Sequence, residues 1–80
     1  MWKEENNQLV KLFEFDDFTS AFAFMQRVAL VADTMNHHPD WRNVYNRVEI
    51  RLSTHDAGNV ITQKDWELAN RIDKLEKQHT

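Results

Sequence analysis

Two asparagines near the start of the chain separate its first two stretches that contain apolar residues. Asn6 and Asn7 separate a short stretch, residues 2–5, from the apolar-rich stretch 8–15. Two strand-like stretches joined by two turn-forming residues are typical of a β-hairpin. The first element predicted from the sequence is therefore a pair of antiparallel strands.

A long helix is predicted directly after the hairpin. Asp16 and Asp17 offer a carboxylate N-cap, and the helical spacing of apolar residues continues to about Met35. The apolar residues form two faces: Phe18, Phe22, Met25, Ala29 and Ala32 on the first, and Phe24, Val28 and Val31 on the second. Since so small a chain has little material to cover both faces, we expect the second face to pack on another copy; a fully buried core helix is the alternative.

From residue 44 onward the apolar positions alternate, which is the clearest strand pattern in the chain. One face is predicted to carry Val44, Val48, Ile50 and Leu52, and the other Tyr45, Arg47, Glu49 and Arg51. Asn46 interrupts the apolar face, and a bend there would divide this segment into two strands.

The last helix is predicted from a capping signal. Thr62-Gln63-Lys64-Asp65 has the spacing of a capping box, and a single apolar stripe follows it: Leu68, Ala69, Ile72 and Leu75. The elements then run in the order ββ-α-ββ-α. This order predicts the α+β class, a two-layer α/β sandwich in which both helices cover one face of an antiparallel, four-stranded sheet. Residues 1–80 are predicted to form one domain.

Composition and charge limit the partners and the compartment that we expect for this chain. The net charge is −3 with acids and bases interleaved, so we expect no nucleic-acid partner. The chain has no cysteine, no apolar signal region at its start and no stretch suited to a bilayer, so we expect a cytoplasmic protein without membrane contact. A chain of 80 residues buries only a small core, so its stability is marginal, which favours a homodimer or homotetramer.

Three histidines lie at the ends of predicted elements and are candidates for chemistry. His37 and His38 follow the long helix, and His55 follows the alternating strand. Imidazole exchanges protons near neutral pH, so three such groups in loops favour acid–base catalysis. Taken alone, they are equally explained as ordinary surface histidines.

Metal and nucleophile chemistry is less well supported by the sequence. Adjacent ligands such as His37 and His38 tend to diverge, and neither Cys-x-x-Cys nor His-Glu-x-x-His spacing occurs. No cysteine is present, and no serine stands in a Gly-x-Ser-x-Gly turn. We therefore expect a site without metal and without a covalent intermediate.

The segment 33–45, together with His55 and Asp65, resembles the pterin-4a-carbinolamine dehydratase family. That family has an acidic residue ahead of His-His-Pro, then an aromatic residue, a histidine at a strand end and an aspartate opening the last helix. The matching positions are Asp33, His37, His38, Pro39, Tyr45, His55 and Asp65. Apolar positions over essentially the whole chain agree as well. Two features differ: members commonly carry a helix before the first strand, and the loop between His55 and Asp65 is one residue longer here.

The resemblance implies a reaction and a site. The substrate would be a 4a-hydroxytetrahydropterin, which loses water to give quinonoid dihydropterin, with no cofactor because the pterin is itself the substrate. His37, His38 and His55 would be catalytic. The implied substrate-binding set is His37, His38, Pro39, Thr54, His55, Asp56, Ala57 and Asp65.

Several assignments stay open at this point. Asp65 is explained equally well as a helix cap and as a site residue, and one carboxylate is able to do both. Trp41 and Tyr45 are either core residues or walls of a flat pocket, and core packing is the preferred prediction for Tyr45. The alternative function is a non-catalytic binding module: family members also act as dimerisation partners of a transcription factor or in protein assembly, and here the helix 17–35 would bind the partner.

Overall fold

The structure is a computed structural model that describes residues 1–79. Its elements are β1 (Lys3–Glu5), β2 (Gln8–Glu14), α1 (Phe18–Met35), β3 (Asp40–Val44), β4 (Arg47–Leu52) and α2 (Gln63–His79). A single turn of 3₁₀ helix, His55–Ala57, lies between β4 and α2. The predicted order ββ-α-ββ-α and the predicted hairpin are confirmed.

The four strands form one antiparallel sheet in the order β1-β2-β4-β3. Leu9 pairs with Leu52 and Phe13 with Val48, so apolar side chains of the two central strands share one face. Both helices pack against this face, and the buried core lies between the layers. The predicted α+β class, a two-layer sandwich with helices on one face, is confirmed.

The start of α1 follows the predicted capping chemistry. Asp17 is the N-cap, and its Oδ1 accepts a hydrogen bond of 2.7 Å from the backbone N–H of Ser20. The helix ends at Met35, and its C-cap Asn36 has a φ of 52°, in the left-handed region that asparagine tolerates. This C-cap turns the chain out of α1 and directs the next residues toward β3.

The assignment of the two faces of α1 was wrong. Phe24 and Val28, predicted to pack on a second copy, are fully buried inside this chain. The Phe24 ring lies 5.0 Å from that of Phe13 and 4.9 Å from that of Phe15, so this face meets the sheet. Phe18 and Phe22, on the face predicted for the core, are each 46% exposed. The hydrophobic pattern shows two apolar faces, but the packing of Phe24 against Phe13 and Phe15 decides which one meets the sheet.

The bend predicted at Asn46 exists, and it changes the side of the sheet to which the residues before it point. Val44 ends β3 and pairs with Arg47 of β4, so it lies on the outer face, and its prediction as an inward partner of Val48 was wrong. Tyr45 occupies the turn with a φ of 51° and is 63% exposed, so its predicted core role was wrong too. Trp41, by contrast, packs partly buried against the core opposite Ile50.

Helix α2 closes the core next to α1. Its stripe of Leu68, Ala69 and Ile72 is fully buried, as predicted. On the same helix, Asp73 accepts hydrogen bonds from Trp2 Nε1 at 3.1 Å and from Lys11 Nζ at 2.8 Å, which joins α2 to the hairpin. Neither helix of the described residues has the length and apolar character needed to cross a membrane.

Candidate active site

A cleft of about 260 Å³ opens where α1 and β4 end and α2 begins. It brings together the three histidines singled out from the sequence, His37, His38 and His55. The full lining is Asn36, His37, His38, Ser53, Thr54, His55, Asp56 and Lys64. Three imidazoles from two distant parts of the chain thus share one concave surface.

The turn after α1 places the two adjacent histidines in different surroundings. The backbone N–H of His37 donates to Ala32 O at 3.0 Å, which folds the chain back over the last turn of α1. As a result His37 is only 9% exposed, whereas His38 is exposed beside Asp33. Adjacent histidines diverge, as expected, and only the first is held in the interior.

His37 is fixed by a buried carboxylate. Its Nε2 lies 2.6 Å from Oδ1 of Asp65, which is fully buried. An ionised carboxylate only accepts hydrogen bonds, so the ring nitrogen is the donor, and Nδ1 is the ring nitrogen left for another partner. Such a carboxylate sets the tautomer and orientation of an imidazole and stabilises the imidazolium that forms when the ring takes up a proton.

Asp65 combines the two roles that the sequence left open. Its Oδ1 holds His37, while its Oδ2 accepts a hydrogen bond of 2.8 Å from the backbone N–H of Thr62 and so caps α2. The hydroxyl of Thr54 donates to the same Oδ2 at 2.8 Å. Burying a carboxylate is costly unless it is well hydrogen-bonded, and three donors meet that requirement here.

His38 and His55 are held more loosely than His37. His38 Nε2 lies 3.3 Å from Asp33 Oδ1, and both side chains are exposed. His55 begins the 3₁₀ turn, and its Nδ1 lies 3.1 Å from Asn59 Oδ1. Gly58 ends that turn with a φ of 92°, a conformation that only glycine adopts without strain. The cleft therefore pairs one rigid imidazole with two accessible ones.

The remaining predicted site residues are divided between this cleft and its surroundings. Thr54 and Asp56 line the cleft, whereas Asp65 lies beneath it, behind His37. Pro39 lines a neighbouring groove of about 430 Å³ that also contains His38, and Ala57 is exposed but is not part of the cleft wall. The geometry thus gathers most of the predicted set and leaves these three outside the wall.

Sequence reasoning missed four residues of the site. Asn36, Ser53 and Lys64 line the cleft, and Thr62 contacts Thr54 behind it. Ser53 and Lys64 are neighbours of predicted site residues in the chain, which was the available signal. Thr62 was singled out only as part of the capping box.

Buried polar groups around the cleft are satisfied. Over the described part of the chain, no buried side-chain nitrogen or oxygen lacks a hydrogen-bond partner. Within residues 1–77, whose side chains the structure describes, no three histidine, aspartate or glutamate side chains are grouped so as to bind a metal ion. That the site works without metal or cofactor stays a prediction.

Comparison with known proteins shows the family of this chain. Residues 1–75 match the family model described as pterin 4 alpha carbinolamine dehydratase. The chain belongs to this family. A relative from Opitutus terrae, named "Putative pterin-4-alpha-carbinolamine dehydratase", is 50% identical over 74 residues, covering 92% of this chain and 76% of the relative. A Synechococcus protein of the same name is 53% identical over 74 residues, covering 92% and 78%. The resemblance read from the histidine motif is confirmed.

Two solved structures share the fold and carry different descriptions. A Brucella melitensis protein described as a transcriptional coactivator/pterin dehydratase superposes with a TM-score of 0.88 at 37% identity, covering 92% of this chain and 80% of its own. A pterin dehydratase-like protein described as a RuBisCO assembly factor in the alpha-carboxysome gives 0.78 at 25% identity, covering 92% and 87%. The same fold is thus associated with catalysis and with protein assembly.

Proposed function

We propose that this chain is a hydro-lyase that dehydrates a 4a-hydroxytetrahydropterin, such as 4a-hydroxytetrahydrobiopterin, to quinonoid dihydropterin and water. The observation that carries the proposal is the single cleft in which His37, backed by the buried Asp65, faces the same space as His38 and His55. Family membership and the names of the relatives support the same reaction class.

The chemistry of this dehydration needs one proton donor and one proton acceptor. The lone pair of N5 expels the C4a hydroxyl, which leaves as water once it is protonated. Loss of the N5 proton then leaves a double bond between N5 and C4a. Positioned imidazoles supply both transfers without metal or covalent intermediate, and general acid–base catalysis of this kind contributes roughly 10²–10⁴-fold.

The surroundings of the three histidines suggest a division of roles. His37 is the best oriented, so we assign one of the two proton transfers to it. His55 lines the same cleft from the 3₁₀ turn after β4, so we assign to it the opposite face of the pterin and the second transfer. His38 is exposed and held only at 3.3 Å by Asp33, so we assign it to binding and orienting the ring. Thr54 and Asp56 complete the proposed binding surface.

Single histidine variants test this assignment. His37→Ala and His55→Ala are expected to lower kcat by about 10²-fold or more, whereas His38→Ala is expected to act mainly on KM. Formation of quinonoid dihydropterin from freshly generated carbinolamine is the assay, and Asn70→Ala, an exposed change on α2, is the matched control. Near-full activity in all three histidine variants would overturn the assignment.

A second candidate function, protein binding through α1, is supported by a different surface. Phe18 and Phe22 stack at 5.8 Å between ring centroids and are half exposed, and Leu30 on the same helix is 71% exposed. A contiguous apolar patch on a protein surface often marks an interaction site. We propose that this surface, and not the buried Phe24 face, joins copies of the chain into a dimer or tetramer or binds a protein partner.

Light scattering on the purified chain tests the second candidate. A homo-oligomer that Phe22→Glu dissociates supports self-association through this surface. A wild-type monomer at micromolar concentration would remove the self-association proposal and leave only a different protein partner for the exposed residues.

A further inference from the structure

The hydroxyl of Thr62 does not form the helix-capping hydrogen bond that its position in the chain predicts. Thr62 directly precedes α2, and in a capping box the hydroxyl of the N-cap residue accepts from the backbone N–H of the third helical residue. Here that N–H, from Asp65, bonds to the backbone oxygen of Thr62 at 3.0 Å instead. The hydroxyl of Thr62 contacts the hydroxyl of Thr54 instead.

The directions of the hydrogen bonds follow from the number of protons available. Thr54 Oγ1 donates its one proton to Asp65 Oδ2 at 2.8 Å, because the ionised carboxylate has none to give. The contact between the two threonine hydroxyls therefore has Thr62 as the donor. This gives a directional series: Thr62 donates to Thr54, Thr54 donates to Asp65, and His37 Nε2 donates to the other oxygen of Asp65.

We propose that Thr62 is a positioning residue for His37, acting through Thr54 and Asp65. Its proton holds the Thr54 hydroxyl in the one rotamer that donates to Asp65, so Oδ2 stays on the threonine side and Oδ1 stays aimed at His37. The ring is then kept with its proton on Nε2, and Nδ1 is left to exchange a proton with the bound pterin. Chains of hydrogen bonds polarise one another, so a remote donor strengthens the last link.

Helix stability alone does not account for the placement of this hydroxyl. The backbone N–H of Thr62 already bonds to Asp65 Oδ2, and the hydroxyl bonds to Thr54 instead of to the backbone of α2. Thr62 is also not among the residues that line the cleft. Its hydroxyl connects to the site only through the series that ends at His37.

Three variants of Thr62 isolate the contribution of its hydroxyl. Thr62→Val removes it with nearly the same shape and keeps the backbone N–H, whereas Thr62→Ser restores it, and Thr62→Ala repeats the deletion without a second methyl group. Thr34→Val is the matched control, because the Thr34 hydroxyl donates to Leu30 O on the exposed side of α1. Thermal unfolding of each variant identifies the temperature range in which all are folded.

Nitrogen-15 NMR of the histidine rings is the deciding measurement, and it needs no substrate. In the wild type, Thr62→Ser and Thr34→Val, His37 is expected to carry its proton on Nε2 in slow exchange with water. In Thr62→Val and Thr62→Ala, exchange of that proton is expected to accelerate roughly fivefold or more, the equivalent of one neutral hydrogen bond. An unchanged His37 signal in both deletion variants overturns the proposal.

Kinetics supply the second measurement, and this one rests on the proposed dehydratase function. Thr62→Val is expected to lower kcat roughly fivefold with KM changed less than about twofold, and Thr62→Ser is expected to recover kcat. A rise in KM alone, or full kcat in Thr62→Val, overturns the positioning role. A wild type with no dehydratase activity refutes the proposed function instead, and the NMR result then decides the role of Thr62 by itself.

Discussion

Replacing Asp65 by asparagine tests how far the buried carboxylate controls His37. The carboxylate accepts three hydrogen bonds, from His37, Thr54 and the backbone of Thr62. An amide of the same shape has one oxygen and one NH₂ group. If the oxygen stays with Thr54 and Thr62, the NH₂ group meets the Nε2–H of His37, and two donors face each other. His37 then has to carry its proton on Nδ1, so the nitrogen left for the substrate becomes a donor.

The expected loss of stability follows from these contacts. Asp65 is fully buried, and a hydrogen bond to a charged group contributes about 1.5–3 kcal/mol. Because the change in tautomer recovers part of the lost bond, we expect Asp65→Asn to destabilise the fold by about 2 kcal/mol. For a domain of this size that corresponds to a fall in Tm of roughly 8–16 °C, measurable by circular dichroism.

The expected loss of activity is larger than the loss of stability suggests. A histidine held in the wrong tautomer costs roughly 10²–10⁴-fold in kcat when it transfers the proton. Asp73→Asn is the matched control, because Asp73 also accepts two side-chain hydrogen bonds on α2 but lies outside the cleft lining. It is expected to lower Tm while kcat stays near the wild-type value. A folded Asp65→Asn protein with full kcat would refute the role of the carboxylate.

Three further predictions concern metal independence and the two faces of α1. Dialysis against EDTA is expected to leave dehydratase activity unchanged, and inhibition that zinc reverses would show that a metal takes part. Phe22→Glu, on the exposed face, is expected to reduce the mass measured by light scattering with little change in Tm. Val28→Glu is expected to abolish folding, because it buries an unpaired charge; a well-folded Val28→Glu protein would show that this face is not in the core.

The sequence was sufficient for the element order because local signals agree with the fold. Asp17 caps α1 as its position indicated, and the bend at Asn46 separates two strands as expected. The sequence was insufficient to predict which side of an element faces the core. Helix α1 is apolar on two sides, so periodicity alone does not say which side meets the sheet, and contact of Phe24 with Phe13 and Phe15 decides the matter.

The direction of the side chains next to the turn between β3 and β4 was predicted wrongly for a similar reason. Period-two alternation was continued through residues 44–46, but the chain reverses at Tyr45, so Val44 pairs with Arg47 in register and faces outward. A hairpin turn restarts the alternation on the next strand. Only the register of β3 against β4 determines this, and register is a tertiary property.

The site was predicted in its residue types and in part of its geometry. The positions of His37, His38 and His55 follow from the motif, and the structure places them around one cleft. The contact between Thr54 and Thr62 depends on how the loop after β4 returns to the start of α2, which no local pattern specifies. The same return explains why Asp65 lies behind His37 instead of on the cleft wall.

The rate of water loss from the carbinolamine tests the central claim most directly. Stopped-flow absorbance follows the appearance of quinonoid dihydropterin from freshly generated 4a-hydroxytetrahydropterin, with the chain and without it. The proposed function predicts that catalytic amounts of the wild-type chain accelerate this step by roughly 10²-fold or more, and that the variant carrying both His37→Ala and His55→Ala does not. A folded wild-type chain that leaves the spontaneous rate unchanged would contradict the proposal and favour the protein-binding alternative.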